Sequence, residues 1–264
     1  TDLPLLDRLK THYRTMCWAR LNTELHNRSN PPHPMTINLK NGPFFPATFV
    51  ALNVANRVLL SSMFDFGSCV FPEFAELQDR QRWDIVVNVF YRFRIFEGCY
   101  RANHAFPDNL EKTFSSYSMY FCAEALPTFY SDARTGNVAA AAEYMQKNSI
   151  RMNEVRAGRE RLMRANPTQE EFLVVVALMF WSIEDMPVSE EIIRIGECYR
   201  EEAMRELHAF YRERLHLDDY ATRLGELLMF LQIFERTKEM KEHFEVMHLF
   251  GVLPDDNFMY RLQK

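Results

Sequence analysis

Glycine is scarce in this 264-residue chain, at eight residues, which leaves little room for phosphate-cradling loops or for the many tight turns of a β-sandwich. The five cysteines, Cys17, Cys69, Cys99, Cys122 and Cys198, stand apart with no CxxC and no paired spacing. An odd, scattered set predicts reduced thiols in an intracellular protein rather than a disulfide frame or a zinc site, and makes the sequon Asn27-Arg28-Ser29 a chance match. The longest unbroken apolar run, Phe172 to Trp181, has ten residues against about 18 for a membrane-spanning helix, so no membrane segment is expected. There is no initiator methionine and no signal peptide, which fits a domain excised from a longer protein. An excess of one charge is also lacking: the net charge is −5 and the pI about 5.9, so no global field favours nucleic acid or anionic lipid.

Catalytic and metal signatures are missing too. No HExxH, GxSxG, P-loop or GxGxxG occurs. An ExxH, Glu245 and His248, would put two potential ligands on one helix face, and is read as a solvated helix face rather than a metal site. No metal, no cofactor and no enzymatic activity are expected. The arginines Arg151, Arg156, Arg159, Arg161 and Arg164 read either as a site for an acidic partner or as a solvated helix face balanced by Glu154 and Glu160.

What the chain has in surplus is phenylalanine (22) and methionine (14), within 47% apolar and 25% charged residues, a composition that excludes a disordered chain. Leu5, Leu6, Leu9, Tyr13, Met16, Cys17 and Leu21 form a helical stripe. Five prolines and Asn41-Gly42 make residues 27–46 a loop. A helix with Leu52, Leu59, Leu60, Met63, Phe64 and Val70 then runs to Pro72, and another spans about 79–101. Residues 104–136 are mixed and are where short strands are expected. Asn137, Thr168 and Ser189 are candidate N-caps for the next helices, the first broken near Asn148-Ser149. One long helix is expected from Asp218 or Asp219 to Phe250, ended by Gly251, and a short final one over 255–262. The reading is a single all-α domain over 1–264, of about ten helices and without internal repeats.

The order of motifs is more specific. Phe71-Pro72-Glu73-Phe74-Ala75-Glu76-Leu77, between a long helix and an aromatic-rich one, resembles the signature region of nuclear receptor ligand-binding domains, in the manner of the nematode supplementary receptors. Counting from Phe74 without gaps puts Leu77, Ile85-Val86 and Arg101 at the family's turn leucine, its Leu-Leu pair and its helix 5 arginine. Arg223-Leu224-Gly225-Glu226-Leu227-Leu228 is similar to the family's tenth helix, and Glu242-His243 with Leu249-Phe250-Gly251 to the end of its eleventh. Pro254, Asp256 and Phe258-Met259-Tyr260-Arg261-Leu262 then fall on the linker and the activation helix. Glu170 to Trp181 and Tyr199-Arg200-Glu201 are weaker matches to the eighth and ninth helices.

The resemblance implies a three-layer antiparallel helical sandwich of about 10–12 helices, enclosing an apolar pocket. Leu52, Leu59, Met63, Phe93, Phe96, Phe244 and Met247 become candidate lining; Met and Phe either line a pocket adaptably or fill it. Arg101 is the candidate anchor for the carboxylate of a lipophilic ligand such as a fatty acid, or it bonds the turn that follows it. The coregulator surface would comprise Cys69, Phe74, Val86, Phe258, Met259, Arg261 and Leu262. The family grips coactivator helices with a lysine and a glutamate that complement the helix dipole; here Cys69 and Arg261 stand in those places, so ordinary LxxLL binding is expected to be weak. Homodimerisation would use the tenth helix through Arg223, Leu227, Leu228 and Leu231, with Leu231 on the exposed side. The implied function is a ligand- or partner-gated transcription factor of the nucleus that reaches DNA only through a zinc-containing domain outside this chain. The alternative is a ligandless helical dimerisation or adaptor domain with a filled pocket.

Overall fold

The computed structural model describes residues 2–133, 136–147, 150–234, 240–253 and 258–262. Among them are twelve α-helical segments: α1 (Pro4–His26), α2 (Phe49–Val70), α3 (Pro72–Glu76), α4 (Asp79–Ala105), α5 (Leu126–Phe129), α6 (Val138–Lys147), α7 (Ile150–Ala165), α8 (Gln169–Phe180), α9 (Glu190–Glu213), α10 (Ala221–Ile233), α11 (Met240–Leu249) and α12 (Phe258–Arg261). The all-α class holds. Three short strands, β1 (Phe45–Pro46), β2 (Thr113–Phe114) and β3 (Met119–Phe121), make one small sheet in the order β1-β3-β2. Two of them fall in the segment expected to hold strands; β1 sits in the proline-rich stretch expected to be a loop and pairs in parallel with β3.

The contacts group into two compact units. The first comprises Thr1–Met16, Leu60–Phe93 and Arg164–Glu235. Its centre is α8, where every residue from Glu171 to Phe180 is buried, so the apolar run too short for a membrane is a core helix. The Thr168 hydroxyl accepts from the Glu171 amide while the Glu171 carboxylate accepts from the Thr168 amide, a capping box that fixes the start of α8. Around it Phe71 packs against Phe180, Trp181 and Tyr199 with ring centroids 4.8–5.5 Å apart; a fully buried phenylalanine contributes about 2–3 kcal/mol by removal from water. The first helix is capped from α9: the Glu206 carboxylate accepts from the Leu5 amide at 2.9 Å and the Leu6 amide at 2.8 Å.

The second unit comprises Cys17–Leu59, Arg94–Met163 and Arg236–Lys264. Its sheet lies beside the end of α4, where Gly98 lets the backbone of Phe114 approach so closely that a Cβ would lie 2.2 Å from the Phe114 carbonyl oxygen. Asn137 caps α6 through the Ala140 amide at 3.1 Å, as its sequence position predicts. The single helix expected over 218–250 is not one described element. Helix α10 closes at Ile233, where the Phe234 amide turns back to the Phe230 and Gln232 carbonyls, and α11 begins at Met240; residues 235–239 lie outside the described residues, as do Asn148 and Ser149, where a break was expected.

Candidate functional site

The apolar cluster of the second unit gathers Ala47, Ala55, Met119, Phe129, Tyr130, Ala141, Met247, Val252 and Leu253, with Phe49, Leu52 and Phe121 packed against it. The Tyr130 hydroxyl donates to the Met247 sulfur at 3.3 Å, which satisfies the polar tip of a buried tyrosine with a soft acceptor. Of the lining candidates, Leu52 and Met247 meet in this cluster. Leu59 and Phe96 are buried in the same unit, and Met63 and Phe93 are buried in the first. The Phe244 side chain lies outside the described residues.

Arg101, the candidate ligand anchor, spends its guanidinium on the protein. It donates to the Tyr117 carbonyl at 2.7 Å and the Ser116 carbonyl at 3.4 Å and stacks 3.6 Å from the Tyr117 ring centroid and 4.2 Å from that of Phe114. The turn it holds is gripped from the other side by Glu24 of α1. That carboxylate accepts from the Tyr117 amide at 3.0 Å, the Ser118 amide at 2.7 Å, the Ser118 hydroxyl at 2.6 Å and the Ser116 hydroxyl at 2.9 Å. One turn before Glu24, Arg20 bonds both oxygens of Glu97 at 2.7 and 2.9 Å, with both residues buried. Burial opposes the charge on Arg20, but Glu97 and Glu24 outweigh it and raise the arginine's pKa.

In the first unit, Arg223 of α10 is bound within its own chain. It donates to both oxygens of the fully buried Glu171, at 2.5 and 2.6 Å, and the Tyr211 hydroxyl donates to the same carboxylate at 2.8 Å. Leu227 is buried with Phe230, while Leu228 and Leu231 are half-buried. The exposed apolar side chain of α10 is Met229, not the expected Leu231. Cys69 is exposed near the end of α2, but Phe74 and Val86 have no exposure at all. They are therefore core residues beneath the expected surface, with Phe74 edge-on to Phe180 at 5.1 Å. Trp83, which the sequence did not single out, is 39% exposed and stacks on Phe64. In the second unit Arg261 is exposed and Leu262 buried, and Phe258 lies 5.5 Å from the Arg57 guanidinium; the Met259 side chain lies outside the described residues. An open groove of about 730 Å3 in the first unit, between α1, α3 and α9, contains none of the predicted site residues.

The basic stretch on α7 divides. Arg156 pairs with Glu111 at 2.9 Å and Glu160 at 3.2 Å as an exposed salt-bridged face. Arg159 is wholly buried, which neither sequence reading anticipated; Arg151 and Glu154 side chains lie outside the described residues. Among the described residues no group of three His, Cys, Asp or Glu could hold a metal, and no helix is long and apolar enough to cross a membrane. No disulfide joins any of the five cysteines, all of them described residues, and burial pushes the Cys99 thiol up to about 12.

The family model for the ligand-binding domain of nuclear hormone receptors matches residues 60–250. The chain belongs to the nuclear hormone receptor family. Its mostly helical architecture agrees with that family's helical sandwich. The chain is similar to nuclear hormone receptor family member nhr-28 of Caenorhabditis elegans, 23% identical across 99% of this chain and 58% of that protein. The nhr-28 protein of Caenorhabditis briggsae is 22% identical across 96% of this chain and 56% of its own length. Nuclear hormone receptor family member nhr-16 of C. elegans is 22% identical across 99% and 66%. The chain thus spans less than two thirds of the length of these curated relatives. Nuclear hormone receptors are ligand-regulated transcription factors, typically nuclear, that generally dimerise and bind coregulators.

Two groups of this receptor domain escaped the sequence reading. The Arg20, Glu24 and Glu97 set had a visible signal: Arg20 and Glu24 interrupt the apolar stripe of α1 one turn apart, where a charge must be paired to be tolerated. Arg159 had none, since its spacing matches that of its solvated neighbours.

Proposed function

We propose that the chain is a single ligand-binding and dimerisation domain, residues 1–264, of a nuclear receptor acting in the nucleus. It takes a small apolar ligand and engages coregulators through a surface without the usual pair of gripping charges, while DNA is contacted by a domain outside this chain. The observation that carries the ligand reading is the apolar cluster of α2, β3, α5, α6 and α11, in which Leu52 and Met247 meet. The exposed neutral Cys69 and exposed cationic Arg261 support an altered coregulator preference. Homodimerisation through α10 rests on its exposed and half-buried apolar positions, Met229, Leu228 and Leu231.

A second reading, a ligandless adaptor with a filled interior, draws on the ring packing of Phe49 against Phe129 and Tyr130 at 6.1 and 5.5 Å. Denaturing mass spectrometry of the purified protein separates the two. A stoichiometric co-purified lipid supports the receptor that binds ligand; protein that is always empty, and takes up none when offered, supports the adaptor.

A further inference from the structure

Helix α2 carries two asparagines beside the apolar Leu52, Ala55 and Leu59 of its inner face. Asn56 is one turn from Leu52, which packs on the cluster of the second unit, and three residues before the buried Leu59. It is only 2% exposed, and its Oδ1 meets no hydrogen-bond partner among the described residues. Asn53, three residues earlier and therefore adjacent on the helix surface, has an enclosed Oδ1 in the same condition. A buried amide oxygen left without a donor costs free energy that an aliphatic side chain of the same size would not, so two neighbouring ones mark a place built to receive a donor from something else.

Resting on the ligand-binding reading above, we propose that Asn56, assisted by Asn53, is the polar anchor of the ligand site, and that the ligand is a neutral lipid bearing a hydroxyl group. The carboxamide offers one acceptor and one donor group and no charge, whichever way it is turned. A hydroxyl satisfies the unpartnered Oδ1 by donating to it, which an ionised carboxylate has no proton to do. A carboxylate buried there would need a cation. Arg101 is committed to the Ser116 and Tyr117 carbonyls, and Arg57, next along α2, is exposed against the Phe258 ring. The anchor expected from the sequence, an arginine for a fatty acid, is thereby replaced by an amide for an alcohol.

Matched probes test this. Titration calorimetry on the full chain compares 1-dodecanol with dodecanoate, and cyclodextrin-delivered cholesterol with cholesterol hemisuccinate, at pH 7.5. The expected result is at least tenfold tighter binding of the alcohol in one pair. Asn56→Leu should erase that preference and raise the melting temperature of the unliganded protein, because the orphaned amide is gone; Asn56→Ala should erase the preference even if the leucine does not fit. Acids bound as tightly as their alcohols in both pairs, or a preference that survives both substitutions, overturn the anchor while leaving a ligand-binding receptor in place. Failure of all four probes to bind overturns the anchor and counts against the ligand reading itself.

Discussion

Replacing Arg159 by methionine should cost this domain much of its stability, and the cost can be worked out bond by bond. The guanidinium has no exposure. It donates to the Asn103 side-chain oxygen at 3.0 Å, the Lys112 carbonyl at 2.6 Å, the Ala102 carbonyl at 2.9 Å, the Phe106 carbonyl at 3.0 Å and, more closely, the Asn109 carbonyl. These acceptors are the end of α4 and the segment that leads into β2; the Ala102, Phe106 and Asn109 carbonyls each accept a backbone amide as well. Methionine keeps the packing stem but loses the four hydrogen bonds to these carbonyls, at about 1 kcal/mol each. Part of this is offset because no cation is then buried: burial lowers the pKa of Arg159, with only a weak opposing influence from Cys99. A net loss of about 2–3 kcal/mol follows, or a fall in melting temperature of roughly 5–10 °C for a chain of this size. Arg159→Lys should recover less than half, since an ammonium cannot reach acceptors spread around a planar fork. Calorimetry alongside the exposed control Arg161→Ala, expected within about 0.5 kcal/mol of wild type, checks the contrast. Full rescue by lysine, or a methionine variant as stable as the control, would refute the account.

Four further outcomes are expected. The Glu171 carboxyl is held below the usual carboxylate range: burial alone would raise it, but Arg223, the Thr168 amide and the Tyr211 hydroxyl together outweigh burial. A depressed carboxylate contributes stability that is complete above its unfolded value of about 4.3 and is lost as pH falls through its folded value. Arg223→Met should therefore lower the melting temperature at pH 7 and flatten its decline below pH ~4.5; an unchanged acid slope would contradict this. Gly98→Ala should cost about 2–3 kcal/mol in urea unfolding, because the Phe114 backbone must retreat from the new Cβ; a neutral alanine would show that the approach is soft. Met229→Glu should turn the proposed homodimer into a monomer in light scattering without loss of melting temperature, whereas Leu231→Glu should also lower the melting temperature; a dimer that survives Met229→Glu would place the interface elsewhere. Cys69→Lys combined with Arg261→Glu should create LxxLL-peptide affinity measurable by fluorescence anisotropy, and tight binding by wild type would defeat that reasoning.

Much of the fold was legible because helices announce themselves at their ends and along their stripes. Asn137, Thr168 and Ser189 cap where their positions predict, each accepting a backbone amide. The apolar run of α8 was recognisably too short for a bilayer, and the order of the receptor motifs identified the family. The side chains proved harder, for a physical reason. Periodicity tells which face is buried but not which buried charge meets which partner: Arg20 and Glu97 are 77 positions apart, and Glu24 and Ser118 are 94 apart. Matching a family position also says nothing about exposure. Phe74 and Val86 align with a surface motif and turn inward, and Arg223 aligns with a dimer helix and bonds Glu171. Asn53 and Asn56 were overlooked because a polar residue on an apolar stripe reads as noise until its missing partner is seen.

The carboxylate of Glu206 has a consequence for synthesis. It caps the first turn of α1 from 200 positions downstream, so the first helix of this domain to leave the ribosome cannot be capped until α9 has been made. At about 5–20 residues per second that is a wait of roughly 10–40 s, during which Leu5, Leu6 and Leu9, all fully or nearly fully buried in the finished unit, face the cell uncovered. The first helix of this receptor domain is thus made long before the carboxylate that caps it.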